Sequence, residues 1–350
     1  MSLGSNQLIL QNHLLLLQKK FFLLCSLLLG LALLNISVGA VPIPLYDLAS
    51  IALGSKENEI WYHIFWFFRL PKVLTAILAG LALSVSGLLM QTFFANPLAS
   101  PSELGVSAGA SLGVASLTLS SGISWVSLQS LGFSGYSLVA VLAIAGAALV
   151  MFLMLGIALQ IRNTVALLII GLMLSSLVIS LIAFWQFMSS PEQIRDFLWW
   201  SFGSLSNTNY SQIGIMGVGI IAAFLLILKD IQAFNVLLLG EQYAQTMGIS
   251  LKNLRWKLIL SVSIMTGMVT AFCGPIGFIG IAVPHLARRW FRSANHWVLV
   301  PATAILGAIL LLFCDILAHC VYPNFSLPIN TMTSLLGSPL IIWIVSKRQL

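Results

Sequence analysis

The sequence predicts an all-α integral membrane protein, and three observations carry that reading. Apolar residues make up 59% of the 350 and charged residues only 7%, against roughly 25% charged in a soluble domain. The apolar residues fall into runs of about 20, the length a helix needs to cross the hydrocarbon core. The short alternating segments of a transmembrane barrel are missing from the sequence. The expected architecture is a single transmembrane domain over residues 1–350 with about ten helical spans.

Residues 1–20 form an N-terminal segment ending in Lys19-Lys20, and Phe21 to Val41 is the first apolar run. Basic residues before it and small ones near its end also describe a secretory signal peptide, but its length suits a retained span. Pro42 to Phe68 reads as a loop with Asp47, Lys56, Glu57 and Glu59, whose cluster Trp61, Tyr62, Phe65 and Trp66 suits a membrane interface. Span two runs from about Leu70 to Phe94, and Asn96-Pro97 and Pro101 end it. Span three, about Ser102 to Ser120, carries Gly105, Gly109 and Gly113, a small-xxx-small face that lets helices approach closely.

Span four is about Ser137 to Gln160, a polar turn holds Arg162 and Asn163, and span five is about Thr164 to Phe187. Residues 191–210 are too polar to cross, and PEQIRDFLWWSFGSL reads as an interfacial helix on the outer side. Span six is about Ser211 to Leu228, span seven Lys257 to Cys273, span nine Trp297 to His319 and span ten Ile329 to Ser346. Cys25, Cys273, Cys314 and Cys320 lie in or at the ends of apolar segments and read as packing residues. A Cys314–Cys320 disulfide would need the helix end to turn back.

Two stretches depart from this regular pattern. Residues 229–257 are a polar, helix-prone insert between spans, in which Gly240-Glu241 precedes an amphipathic run (Tyr243, Ala244, Met247). Gly248 supplies a helix stop, and Leu251 to Lys257 begin a second short helix. Two short helices lying on the surface form a docking platform; an ordinary long loop is the alternative. The second stretch, 274–282, places Gly274, Gly277, Gly280 and Pro275 within seven residues, too many helix breakers for a stable helix. Irregular backbone at membrane depth survives only where protein buries it or it lines a cavity. A half-helix, Val283 to Arg292, then completes span eight after this break.

An even number of spans puts both termini on one side. With the N-terminus cytoplasmic, twelve of the sixteen basic residues are inside: Lys19, Lys20, Arg162, Lys229, Lys252, Arg255, Lys257, Arg288, Arg289, Arg292, Lys347 and Arg348. Lys56, Arg69, Lys72 and Arg195 remain outside, so the charge bias assigns the orientation and puts 229–257 in the cytoplasm. The net charge of +7 lacks the basic stripe with interleaved aromatics of a nucleic-acid binder, so no nucleic-acid partner is expected. No P-loop is present, no zinc or iron–sulfur ligand set can be assembled from the cysteines, and no cofactor in this chain is expected.

GEQYAQTMGIS followed by GPIGFIGIAVPHLAR resembles the signature of the FecCD-type permeases, the membrane subunits of ATP-binding-cassette importers for ferric siderophores, haem and vitamin B12. RLPKVLTAILAGLALSVSGLLMQTFFANPLASPSELGVSAGASLG (Arg69 to Gly113) is similar to that family's other hallmark. LPINTMTSLLGSPLIIWIV (Leu327 to Val345) resembles its closing helix. The resemblance implies an inner-membrane permease without enzymatic activity of its own. Its partners would be a second permease copy, a cytosolic ATPase dimer and a substrate-binding protein on the outer side.

Gly240, Glu241, Gln245, Met247 and Gly248 would then form the coupling helices that enter the ATPase. Arg69, Lys72 and His319 would meet acidic lobes of the binding protein, although a histidine is largely neutral at pH 7; for Arg69 an ordinary interfacial anchor is the alternative. Met90, Gln91, Met173, Ser175 and Ser176, with Gly274, Gly277 and Gly280 of the break, are the candidates for the translocation path and gate. Ordinary helix packing is the alternative for each. Of the possible cargoes a ferric siderophore ranks first, with haem or vitamin B12 as alternatives.

An ion-coupled secondary carrier competes with this reading, because discontinuous helices are its habit too. Such a carrier needs ionisable groups along a wet path, and only Glu103, His285 and Asp315 qualify. His285 reads as a structural cap or hydrogen-bond partner; Asp315 reads as a structural acid paired with a neighbouring helix or with backbone amides, with a proton relay as the alternative. An integral membrane enzyme would need a nucleophile–base or metal constellation, which the sequence does not offer.

Overall fold

The computed structural model describes residues 2–39, 41–54, 58–120, 125–161, 164–320 and 327–346. Lys56, Arg162, Lys347 and Arg348, used in the charge argument, lie outside the described residues, as do Glu57 and Asn163. The described chain runs α1 (Ser2–Ser37), α2 (Leu45–Ala52), α3 (Glu59–Ile64), α4 (Leu70–Phe93), α5 (Val106–Ala115), α6 (Trp125–Ser130), α7 (Phe133–Ala158) and α8 (Thr164–Met188). It continues with α9 (Pro191–Ser201), α10 (Tyr210–Leu228), α11 (Ile231–Leu237), α12 (Glu241–Thr246), α13 (Leu251–Cys273), α14 (Ile279–Phe291), α15 (His296–Cys320) and α16 (Ile329–Ser346).

Seven of these helical stretches are long and apolar enough to cross a membrane: Leu15–Ser37, Glu59–Phe93, Phe133–Ala158, Val165–Met188, Tyr210–Leu228, Leu251–Cys273 and His296–Cys320. The expected spans three, eight and ten correspond to shorter helices: Val106–Ser120, α14 and α16. At 1.5 Å per residue, the 13 residues of α14 reach only about 20 Å, so its first part depends on the irregular backbone before it.

Pro42 to Phe68, expected as a loop, is largely helical. Asn58 caps α3 by accepting from the Trp61 N–H, and Phe65–Arg69 form a π-type turn that leads directly into α4. Pro71 lacks the N–H that would close a normal turn on Phe67, and the Leu70 N–H reaches back to the Phe65 carbonyl instead. The aromatic cluster therefore sits on a helical entry to span two.

α4 is the centre of the bundle, packed by α15, α14, α13 and α10 and buried along almost its whole length. Small residues make that possible. A methyl group added at Gly80 would overlap the Gly307 carbonyl of α15, and one added at Gly307 would overlap Gly80. Likewise Gly87 lies against the Gly280 carbonyl of α14. The predicted close face of span three is present: Gly109 meets the Gly146 carbonyl and Gly113 the Leu142 carbonyl of α7. The four cysteines are free thiols.

α9 is held by a capping box in which Ser190 accepts from the Gln193 N–H and the Gln193 side chain accepts from the Ser190 N–H. Hydrogen bonds from its own backbone N–H and from Ser190 hold the Glu192 carboxyl below the usual carboxylate range.

Candidate functional site

At one end of the bundle the chain leaves the spans for α11 and α12. Gly240 starts α12 with φ 108° and ψ 154°, a backbone region open essentially only to glycine. Gly248 (φ 82°) reverses the chain after it. No atom crowds either position, so backbone conformation alone calls for glycine. Ser250 then caps α13 by accepting from the Asn253 N–H. The second short helix expected at Leu251 to Lys257 is thus the beginning of α13 itself, and the two short helices are α11 and α12. The break between them and α13 falls at Gly248 because that is where the left-handed residue stands.

Ala244 is fully buried and pins α12 to the bundle. Around it Leu238, Leu239, Tyr243 and Met247 are exposed, as are Glu241, Gln245 and Gly248. Glu241 pairs with Arg255 at 3.6 Å, and Asp230 with Lys257 at 2.6 Å, so ion pairs brace the short helices against α13. Between α12 and the ends of α4 and α7 lies a cavity of about 740 Å³ lined by Phe93, Leu155, Leu239, Tyr243 and Arg255 among others. Apolar side chains therefore surround a preformed hollow with charged groups at its rim, the kind of exposed patch that marks interaction sites.

This surface is wired to the bundle interior. Asn235 of α11 accepts from the His296 N–H at 2.7 Å, and its Oδ1 lies 2.9 Å from His296 Nδ1. His296 Nε2 reaches Thr92 of α4 at 2.8 Å. Next to Thr92, Gln91 donates to the Gly280 and Ile281 carbonyls and accepts from Arg288 at 2.6 Å. His285 Nε2 lies 2.9 Å from the Pro97 carbonyl, the structural partnership expected of it. Neither His296 nor Asn235 carries a motif signal; only their meeting across the fold marks them.

The break itself is shorter than expected. Gly274 to Phe278 is irregular and helix resumes at Ile279, because the helix geometry needs only Gly274 and Pro275 to be broken, while Gly280 is used for packing against Leu83, Ser100 and Pro101. Neighbours take up backbone groups at and before the break: the Ser204 N–H bonds the carbonyl of Cys273, the last residue of α13, at 2.9 Å, and the Gly277 N–H bonds Asn330 Oδ1 at 3.2 Å. Gly274 has φ 75° and ψ 177°. Phe278, a bulky residue, sits at φ 67°, a conformation that costs of order 1–3 kcal/mol. A cavity of about 590 Å³ borders the break, walled by Trp199, Trp200, Phe272, Asp315 and His319.

The remaining path candidates do not converge in this state. Met90 and Gln91 are buried between helices, whereas Met173 is 61% exposed on α8, where Ser176 is also exposed and Ser175 half-buried.

At the end of the bundle opposite α12, the basic residues expected to face a binding protein are turned inward. Lys72 is 4% exposed and pairs with Asp315 of α15 at 2.8 Å, and Asn35 of α1 donates to the same carboxylate oxygen at 2.7 Å. Arg69 is 7% exposed and donates to the Val38 and Val41 carbonyls. His319 is half-buried, its Nδ1 2.9 Å from the Asp315 carbonyl. This corrects the expectation for Arg69 and Lys72: a charge at a span end is cheaper when paired across helices than when held bare, and Asp315 offers that pairing.

Comparison with known proteins gives a consistent result. The profile of the FecCD transport family matches residues 27–347. The Fe(3+) dicitrate transport system permease protein FecD of Escherichia coli K12 is 34% identical over 323 residues, covering 91% of this chain and 96% of that protein. The hemin transport system permease protein HmuU of Yersinia pestis is 33% identical, covering 93% and 95%. The vitamin B12 import system permease protein BtuC of Salmonella typhi is 34% identical, covering 81% and 83%. Among solved structures, a transporter assigned to the metal-chelate ABC type, captured facing inward, superposes with a TM-score of 0.79 at 26% identity, over 94% of this chain and 99% of that one. PsaBC from Streptococcus pneumoniae shares the fold at a TM-score of 0.55.

Proposed function

Because this chain belongs to the FecCD transport family and is a multi-pass membrane permease, we propose that it is the transmembrane half of an ATP-driven importer of a bulky metal chelate. A separate ATPase dimer docks on the α11–α12 face. The observation that carries this is the exposed set Leu238, Leu239, Tyr243 and Met247 around the hollow beside Glu241, on a segment that is not itself a span. Gly240, Glu241, Gln245, Met247 and Gly248 supply the shape of that surface. The bond route from Asn235 through His296 to Thr92 and Gln91 offers a way for movement of α11 to reach α4 and α14.

The α11–α12 end and both termini face the cytoplasm, supported by the basic residues gathered there, and the opposite end receives cargo from a binding protein. The binding protein engages exposed groups around the cavity at that end, where His319 remains accessible; Arg69 and Lys72 hold the helices that frame it. A second copy of the chain completes the path, meeting the first along α8, whose exposed face carries Met173 and Ser176. The chain brings no cofactor of its own to the cycle. A ferric siderophore is the first choice of cargo; the relatives named for ferric dicitrate, hemin and vitamin B12 keep haem and corrinoid as alternatives.

Proteoliposomes containing the permease, its ATPase and its binding protein provide the test. Uptake of a labelled ferric siderophore should require ATP and survive a proton uncoupler, and hemin and cobalamin should compete poorly. Uptake abolished by the uncoupler in the presence of ATP would point to an ion-coupled carrier instead.

A further inference from the structure

At the same end as α12, but on another side of the bundle, α1, α14 and α16 enclose a cavity of about 690 Å³. The shared end follows from contacts: Asn235 of α11 bonds Asn295 at 3.0 Å, three residues beyond Arg292. Lys20, Arg289 and Arg292 line the cavity together with Trp290, Phe291 and Trp343, and no lining residue is acidic. Three cations without a single carboxylate among the lining are unusual in a chain where only 7% of residues are charged.

Two of the three cations are held in place. Lys20 donates to the Trp290 carbonyl at 2.8 Å and stands 5.7 Å from the centre of the Phe291 ring. Phe21 packs on Phe291 at 4.8 Å, tying α1 to α14. The Arg289 guanidinium lies 4.3 Å over the Trp343 ring, a cation–π contact that orients its planar fork of donors. Among the described residues none of the three cations has a carboxylate partner within ion-pair distance.

The walls tell which anion fits. Leu16, Leu17 and Leu286 line the hollow beside the cations. Trp290 and Trp343 are 48% and 41% exposed, as tryptophans are at the headgroup level of a bilayer. A soluble anion would gain nothing from this apolar side, whereas a molecule with a phosphodiester at one pole and acyl chains at the other matches both. Basic pockets between spans on the cytoplasmic side are suited to such headgroups.

We infer that the α1–α14–α16 cavity is a binding site for an anionic phospholipid, with Lys20, Arg289 and Arg292 on the phosphate and Trp290, Trp343 and the leucines against its glycerol and acyl region. The bound lipid tethers α14, the half-helix that follows the break, to α1 and α16.

Native mass spectrometry of the intact, detergent-purified transporter tests this, with cardiolipin, phosphatidylglycerol or phosphatidylcholine added back from mixed micelles. The first two should bind and phosphatidylcholine should not. Arg289→Gln should weaken binding about fivefold, and Lys20→Gln/Arg289→Gln/Arg292→Gln on the order of 100-fold, from the contribution of each cation near a lipid surface. Arg195→Gln on α9 should change nothing. Arg289→Gln keeps the test open if the triple variant does not fold, since Arg289 is exposed. Retention of anionic lipid unchanged by Arg289→Gln, equal binding of phosphatidylcholine, or displacement of the lipid by an excess of inorganic phosphate would each overturn the proposal; the last would mark a site for a free anion.

Discussion

Removing the charge of Lys72 while keeping its length, with Lys72→Met, probes the ion pair at the end of the bundle opposite α12. Lys72 Nζ and Asp315 Oδ2 are 2.8 Å apart and their side chains are 4% and 5% exposed. Breaking one partner of a buried pair costs about 3–5 kcal/mol, because it leaves an uncompensated charge. Replacing both partners with apolar residues of similar size is about neutral. The Asn35 bond of 2.7 Å to the same oxygen adds about 1.5–3 kcal/mol as a hydrogen bond to a charged group, so Asn35→Ala should fall between the two.

The expected ranking of destabilisation is Lys72→Met, then Asn35→Ala, then Lys72→Met/Asp315→Leu. Arg195→Met serves as the exposed control. Its pair with Asp196, at 3.3 Å and largely in solvent, is worth at most about 1 kcal/mol. Denaturant unfolding of the purified permease in detergent reads the four values, and binding-protein affinity read alongside separates structure from docking. The double variant should dock normally if Lys72 acts only within the bundle. A Lys72→Met loss no larger than that of Arg195→Met, or a double variant that loses as much as Lys72→Met alone, would refute the reasoning.

Gly240→Ala should cost about 1–3 kcal/mol of backbone strain at the start of α12 and reduce ATP-driven uptake with the protein still inserted; normal uptake would show that α12 need not hold its present shape. Gly248→Pro should abolish uptake for the same reason, read in the same vesicles. Gly87→Ala should destabilise the bundle by about 1–3 kcal/mol through overpacking against the Gly280 carbonyl, whereas Gly277→Ala, with only Asn330 within reach, should leave the unfolding curve in place. His296→Phe, which keeps an aromatic ring and the backbone bond to Asn235 but removes the ring bonds to Asn235 and Thr92, should lower uptake more than it lowers ATPase activity. Equal losses in both would mean that His296 does not link α11 to α4.

The class of the protein, its seven long apolar helices, the polar insert and the start of the break were legible in the sequence. Each depends on local composition: a run of about 20 apolar residues has nowhere to be except a bilayer, and Gly274-Pro275 cannot stay helical whatever surrounds them. The glycine face at Gly109 and Gly113 was legible for the same reason, since small residues at helical spacing serve close packing. A coupling role for Gly240 and Gly248 is what the resemblance implies; the structure adds why these two positions are glycine.

Tertiary structure alone decided where charge and polarity went. Lys72 and Arg69 look like outward-facing cations from their position near a span end, and only the approach of Asp315 on α15 and of the Val38 and Val41 carbonyls turns them inward. Gln91 shows no partner in the sequence, and only the fold brings Arg288 and the carbonyls of α14 around it. Lys20, Arg289, Arg292 and Trp343 are scattered over α1, α14 and α16, and nothing in any one helix shows that they share a cavity. A helix is set by its own residues, but the energy of a buried charge or hydrogen bond is set by its partner, and that partner comes from another part of the chain.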